Sequence, residues 1–335
     1  MKITKIGFIG AGFVSQVAHL PSFKTNKKVE IVSICDVNKK LLKKVSKKYK
    51  IKNTYLSYKD MISNEELDGI VLSVQRNNTA KIAEDVIKSR IPLLSEKPAA
   101  SSYLFAKKLC KLAKKYKTKY IIGYMKRYDN GIIYLKKYLD RNVNLGKLHS
   151  VYYESFQGNA FNSPFKFFKQ SKSYIKKVSL NKKSNKRKFV FLRFLNVHCH
   201  SINLLRYLFG KIRVVNKALS TTGEGYVFFK KNELNLILNN QYSKSKNWIE
   251  NINLNFEKGK ITVKIPTPLL KNSSASITIK NFVTGNITKP KISSGWSFIN
   301  QAESFINLIN SKKNKKNYAT GQDSLDDIKI IESIF

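Results

Sequence analysis

Several things are scarce in this chain. None of its 335 residues falls in an apolar run of 18 or more, so no hydrophobic membrane-spanning helix is expected. Only three cysteines occur, Cys35, Cys110 and Cys199, far apart and without a CxxC pair. That excludes a disulfide framework and fits free thiols in a reducing, cytoplasmic compartment. Acidic residues number 21 against 63 basic ones, a formal net charge of +42. Arginine is scarce too, at eight of those 63. Nucleic-acid readers lean on arginine for bidentate contacts to phosphate and guanine. Lysines spread along helices and loops, among many Asn and Ile, read instead as composition bias. The charge then implies nonspecific attraction to polyanions or anionic substrates, not specific nucleic-acid binding. No internal repeat is visible.

What is present suffices for folding. The hydrophobic fraction is 42%, enough for a sizeable core, and the length suits about two domains. Met1-Lys2 and the apolar stretch to Leu20 imitate a signal peptide. The glycines there, and the strand–helix repeat that follows, argue against it.

Residues 3–9 are β-rich and end in Gly10-Ala11-Gly12-Phe13-Val14-Ser15, after which residues 14–20 are helix-like. Strand, glycine turn and helix N-terminus together make a pyrophosphate cradle: Gly10 and Gly12 let backbone approach, and the helix start at Phe13 and Val14 favours the charge. Ser15 stands where the fingerprint has its third glycine. A second strand, residues 29–36, ends in Asp36, 21 residues after Ser15, placed to accept from a ribose diol. Asp36 favours NAD over NADP; Lys39 and Lys40 nearby keep NADP open. The plainer reading of Asp36 is a cap for the helix starting near Asn38.

Helical stretches follow at residues 39–49, 60–67, 79–89 and 101–116, the last with Phe105, Leu109, Leu112 and Tyr116 on one side. Strands are expected at 69–74, 92–95 and 119–123. The fourth strand ends abruptly in Glu96-Lys97-Pro98. Proline ends ladder pairing there, and a lysine fixed at such an edge shuttles a proton or pins a hydroxyl. The alternative is one solvated lysine among many. Yet each polar candidate follows a strand's carboxyl end: Gly10 and Gly12, Asp36, Ser73, Glu96-Lys97, and Tyr124 to Arg127. In open α/β sheets that edge binds ligands.

The second half reads differently. Residues 131–139 are helical, 148–156 a strand, and 165–188 a Lys- and Ser-rich excursion whose charge clusters are most simply a solvated loop. Residues 194–208 read as one helix, which puts Asn196 and His200 on one face. Histidine is the usual proton-transfer group near neutral pH; a packed or capping His200 is the alternative. His198-Cys199-His200 does not converge on a helix, so no metal is expected. Six β-rich segments between residues 213 and 279 lack intervening helices, which implies an antiparallel sheet. Two helices, 297–309 and 324–334, close the chain.

The fold class expected is α/β: an N-terminal Rossmann domain with a doubly wound parallel sheet, residues 1–123, plus a C-terminal α+β domain with an open, mainly antiparallel sheet, residues 124–335. The closing helices have the option of packing back on the first domain.

Together these residues resemble the glucose–fructose oxidoreductase, inositol dehydrogenase and rhizopine-catabolism family, Gfo/Idh/MocA, over residues 2–334. The resemblance rests on the Gly10 turn, His19-Leu20-Pro21, Asp36, Glu96-Lys97-Pro98, Gly123-Tyr124 with Arg127-Tyr128, and Leu145-Gly146. It rests also on Asn196, His200 and Asn203 at their spacing, followed by Leu208-x-Gly210. It implies reversible oxidation of a sugar, cyclitol or nucleotide-sugar hydroxyl with NAD(P), and a homo-oligomer through the second sheet. It implies Lys97 as catalytic lysine and His200 as proton-transfer histidine, with Glu96 and Ser73 on the cofactor and Tyr124, Arg127 and Asn196 toward the substrate. The family usually has Asp at 196 and 203, Gly at 198, Thr-Pro at Ser73-Val74 and His at Asn78. Asn196 orients a hydroxyl but holds no proton. A catalytically silent nucleotide-binding or scaffold member is therefore the rival expectation, and a polyanion-binding protein the third.

Overall fold

In the structure, a computed structural model, the described residues are 3–141, 144–158, 167–169, 186–243, 248–311 and 318–335. The chain opens with β1 (Thr4–Ile9), a π-helical turn (Ser15–His19) continuing into α1 (Leu20–Lys24), β2 (Val29–Cys35), α2 (Lys39–Tyr49), β3 (Asn53–Tyr55) and α3 (Tyr58–Asn64). Next come β4 (Gly69–Leu72), α4 (Arg76–Lys88), β5 (Leu93–Ser95), α5 (Tyr103–Tyr116) and β6 (Tyr120–Ile122). A 3-10 turn (Met125–Tyr128), α6 (Asn130–Leu139), β7 (Leu148–Gln157), α7 (Lys186–Val197) and α8 (Cys199–Phe209) follow. Seven strands come after them: β8 (Arg213–Leu219), β9 (Gly225–Lys231), β10 (Leu234–Tyr242), β11 (Ile249–Phe256), β12 (Gly259–Lys264), β13 (Ser276–Asn281) and β14 (Ile287–Thr288). The last elements are α9 (Ser297–Asn310) and α10 (Gly321–Ile334).

Two compact units result. The first holds Met1–Tyr124 and Phe298–Ile328, with residues 167–169; the second holds most of the remainder. In the first, strands run β3-β2-β1-β4-β5-β6, every pair parallel. The strand order reverses between β1 and β4, which in such sheets opens a crevice at their carboxyl ends. Ile6, Phe8, Ile34, Val71, Leu94 and Ile121 are buried with Leu20 and Phe23 of α1 and Ala302, Phe305 and Ile306 of α9. Each of the larger side chains, Ala302 apart, contributes about 1.5–3 kcal/mol by burial. Capping fixes the helices locally: Asn38 accepts from Leu41 N at 3.0 Å and Ser102 from Phe105 N at 3.5 Å. The Lys119 ammonium caps the far end of α9 through the Leu308, Ile309 and Ser311 carbonyls, at 2.7–3.3 Å.

The second unit is an eight-stranded sheet, β14-β13-β12-β11-β7-β10-β9-β8. Its described pairs are antiparallel except β7 with β10. Strand alternation sends Val151, Tyr153 and Ser155 of β7 to a buried face, together with Glu250, Ile252 and Leu254 of β11. The fold class expected from the sequence is the one observed.

Four local expectations need correction. The parallel sheet has six strands, not five: β3 is three residues of polar edge without an apolar alternation to announce it. On α5 the buried residues are Ala106 and Leu109, whereas Phe105 is 57% exposed; α5 packs on α4. The single helix at 194–208 is two helices meeting at His198, whose ψ of −2° breaks the repeat. Its ring is wholly buried between Phe194 and Tyr242. Lys186, Arg187 and Lys188 begin α7 and are not loop; of the excursion at 165–188, only these and 167–169 lie inside the described residues.

Candidate active site

The first unit gathers most of the expected residues at one edge. Gly10 has φ of +101°, and a Cβ there would collide with the Ser73 carbonyl. Only glycine lets β1 turn that close to the end of β4. A Cβ added at Gly12 meets nothing within 4 Å, so open space lies over the turn. Ser15 is buried and its hydroxyl donates to Gly10 O at 2.6 Å; it ties the turn from inside. Phe13 is half-buried and sits edge-on to Phe167 at 4.7 Å. Val14 is half-buried and directly precedes the π-helical turn. A turn that is open, glycine-lined and set at the start of a helical segment fits a dinucleotide pyrophosphate.

Asp36 is nearly buried. One carboxylate oxygen accepts from Ala11 N and the other from Asn38 N, each at 2.8 Å. The cap of α2 is therefore Asn38, and Asp36 is locked beside the glycine turn. A carboxylate has about four acceptor positions, so two bonds leave room for a ribose hydroxyl. Val37 and Leu56, 61% and 50% exposed, follow β2 and β3 at this same edge. Sequence reasoning missed them; the signal was an apolar residue one or two positions after each strand.

Glu96 and Lys97 leave β5 half-buried, and the Lys97-Pro98 peptide is cis. His19 Nε2 lies 2.7 Å from Glu96 Oε1, which requires the Nε2-protonated tautomer if His19 is neutral. Glu96 Oε2 accepts from the Lys97 backbone N–H at 3.2 Å. Gly123 closes the other side, since a Cβ there would lie 2.9 Å from Oε1. Beyond the proline, Ser324 Oγ accepts from Ala99 N at 3.1 Å and from the Tyr124 hydroxyl at 3.2 Å. Tyr124 is 1% exposed, so burial makes it a strut of this loop, against the expectation of a substrate contact. Sequence reasoning gave neither His19 nor Ser324 a role.

The second unit holds the other candidates. Arg127 is nearly buried, with its guanidinium 4.5 Å from the Tyr207 ring centroid. Asn196 is exposed in the last turn of α7, and His200 is half-buried in the first turn of α8. They share no single helix, so the one-face expectation falls with the break at His198. The same unit holds a charged network that sequence reasoning did not find. Lys126 pairs with Glu250, which also accepts from the Tyr153 hydroxyl and, at 3.2 Å, from Trp248 Nε1. Burial, then the Glu250 charge, pushes the Tyr153 phenol far above its usual range. Burial, then Lys126 and Arg193, pushes the His198 imidazole down to about 3, so it stays neutral. The missed signal was Glu250 at a core position of an alternating strand, in phase with Ile252 and Leu254.

Among the described residues no group of three or more His, Cys, Asp or Glu could hold a metal ion, and no helix is long and apolar enough to cross a membrane.

Comparison with known proteins gives a consistent picture. Residues 4–124 match the model of GFO_IDH_MocA, an oxidoreductase family with an NAD-binding Rossmann fold. The rhizopine catabolism protein MocA of Rhizobium meliloti is 29% identical over 149 residues, 44% of each chain. An inositol 2-dehydrogenase of Salmonella paratyphi B is 26% identical over 140 residues, 41% of this chain and 40% of that one. These matches span under half the length of the curated relatives. A 3-ketoreductase from Actinomadura kijaniata, solved with NADP and TDP-benzene, superposes with a TM-score of 0.77 over 99% of this chain and 97% of that one. At 12% identity that likeness shows the fold.

Proposed function

We propose an NAD-preferring dehydrogenase, on the premise that residues 4–124 match the model of the Gfo/Idh/MocA oxidoreductases with their NAD-binding Rossmann fold. Its substrate is a secondary alcohol of a sugar, cyclitol or nucleotide-linked sugar. The observation that carries the proposal is the shared edge of the first sheet. The glycine turn, Asp36, Ser73 and the Glu96-Lys97 loop all leave strands at their carboxyl ends, where such sheets bind dinucleotides.

When bound, the nicotinamide supplies the hydride chemistry. The chain binds and moves the proton. Gly10 and Gly12 admit the pyrophosphate. Asp36, fixed by two backbone N–H groups, accepts from the adenosine ribose and repels a 2′-phosphate, which is the basis of the NAD preference. Lys97 and His200 hold and carry the substrate hydroxyl proton, a role that contributes typically about 10²–10⁴-fold. Arg127 and Asn196 orient the substrate. A homo-oligomer through the second sheet and a cytoplasmic setting belong to the same proposal.

The test is direct. NAD and NADP are titrated by cofactor fluorescence, then free polyols, sugars and nucleotide sugars are screened for NAD reduction. Tight NAD binding with turnover on one substrate class supports the reading; no binding of either dinucleotide defeats it. Binding without turnover across the panel favours the silent-member reading, which the exposed amide of Asn196, where the family it resembles usually has Asp, motivates.

A further inference from the structure

We propose that His19 is a positioning residue: through Glu96 it sets the backbone at Lys97 according to whether the glycine turn at Gly10 and Gly12 is occupied. The proposal rests on the dinucleotide reading and adds a coupling to it.

The contacts form one chain within the first unit. Each residue of the glycine turn is bonded to the helical segment behind it. Ser15 Oγ donates to Gly10 O at 2.6 Å, Gln16 Nε2 donates to Ala11 O at 2.8 Å, and Gln16 N donates to Gly12 O at 3.1 Å. That segment, Ser15–His19, is wound as a π-helix, an uncommon winding that recurs at functional sites. Its last residue is His19, 1% exposed and held edge-on to Phe298 at 5.6 Å. His19 reaches Glu96 Oε1 at 2.7 Å, and Glu96 Oε2 accepts from Lys97 N at 3.2 Å.

The Glu96 carboxylate has little freedom to absorb a displacement. Gly123 leaves it only the space of a missing Cβ, and Glu96 N is itself tied to Leu72 O at 2.8 Å. A shift of the π-wound turn on ligand binding therefore reaches the Lys97 amide. A purely structural His19–Glu96 pair would be indifferent to the turn's occupancy, which is the point of difference.

ADP is the probe, because it carries the adenosine and pyrophosphate of the dinucleotide and lacks the nicotinamide. Any effect on Lys97 then travels through the protein. Hydrogen exchange of the Lys97 amide is measured in the full chain with and without saturating ADP, in wild type, His19→Leu and His19→Gln. Glutamine keeps a donor toward Glu96; leucine does not. ADP is expected to slow exchange at Lys97 about fivefold, the low end of typical coupling between sites, in wild type and His19→Gln but not in His19→Leu. Should His19→Leu fail to fold, Glu96→Gln, which weakens the same charge-assisted bonds, is expected to lose most of the protection. If ADP binds and Lys97 responds equally in all variants, or in none, the coupling is wrong and the dehydrogenase reading survives. If wild type does not bind ADP the coupling falls, and if it binds neither NAD nor NADP the dehydrogenase reading falls with it.

Discussion

The loop edge of the first sheet and the buried face of the second sheet solve opposite problems. At the first, every polar group is tied to backbone, Asp36 to Ala11 and Asn38, Glu96 to the Lys97 amide and Ser324 to the Ala99 amide, with His19 and the Tyr124 hydroxyl as added side-chain partners of Glu96 and Ser324. Glycines keep the space over the turn clear, and the candidate lysine stays half-buried and reachable. At the second, polar groups are satisfied mainly by one another. Lys126, Glu250, Tyr153 and Trp248 form a side-chain network with Glu250 fully enclosed by side-chain exposure. A site built on backbone tolerates substitution around it, whereas a buried ion pair is intolerant of losing one member.

The largest expected effect tests that contrast. Lys126→Met leaves Glu250 as an uncompensated buried charge and is expected to destabilise the second unit by about 3–5 kcal/mol, read from urea unfolding. The double variant Lys126→Met/Glu250→Leu should recover most of that loss. If the single variant costs under about 1 kcal/mol, within the range of an exposed pair, the two regions do not differ as described.

The next effect is a pH slope. His198 has a folded pKa depressed to about 3 by burial, then by Lys126 and Arg193, against about 6.5 when unfolded. Below 6.5 the unfolded chain therefore binds a proton that the folded chain does not. The stability this group leaves intact above pH 6.5 is lost as pH falls toward 3, at up to about 1.4 kcal/mol per pH unit. Between pH 6.5 and 5, wild type should lose about 1.7 kcal/mol more than His198→Met. Parallel pH curves would show that the ring is solvated or paired.

The smallest effect belongs to the first unit. Ser324→Ala removes one acceptor from both Ala99 N and the Tyr124 hydroxyl. It is expected to cost about 1–2 kcal/mol, read as a lower thermal midpoint, with Ser324→Thr retaining part of the stability. A larger loss than that of Lys126→Met would reverse the comparison.

These differences also explain what the sequence made legible. Strand ends of the first sheet could be read because short apolar runs stop at glycine, carboxylate or lysine, and one edge collects them. The Asn38 and Ser102 caps are local and leave a local signature. The break at His198 is invisible in periodicity, since the residues on either side are helical and the cause is a ring packed between Phe194 and Tyr242. Tyr124 looked like a ligand contact until a serine 200 residues later took its hydroxyl. Within the Tyr124 to Arg127 run nothing singled out Lys126, because its partner, Glu250, is 124 residues away. Contacts made across the chain's length leave no spacing to detect.

The most direct measurement on the proposed function separates chemistry from cofactor binding in Lys97→Met. The account predicts turnover reduced by about 10²–10⁴-fold, with NAD affinity, measured by fluorescence titration, within a few-fold of wild type. Turnover unchanged in that variant, with NAD still bound, would contradict it.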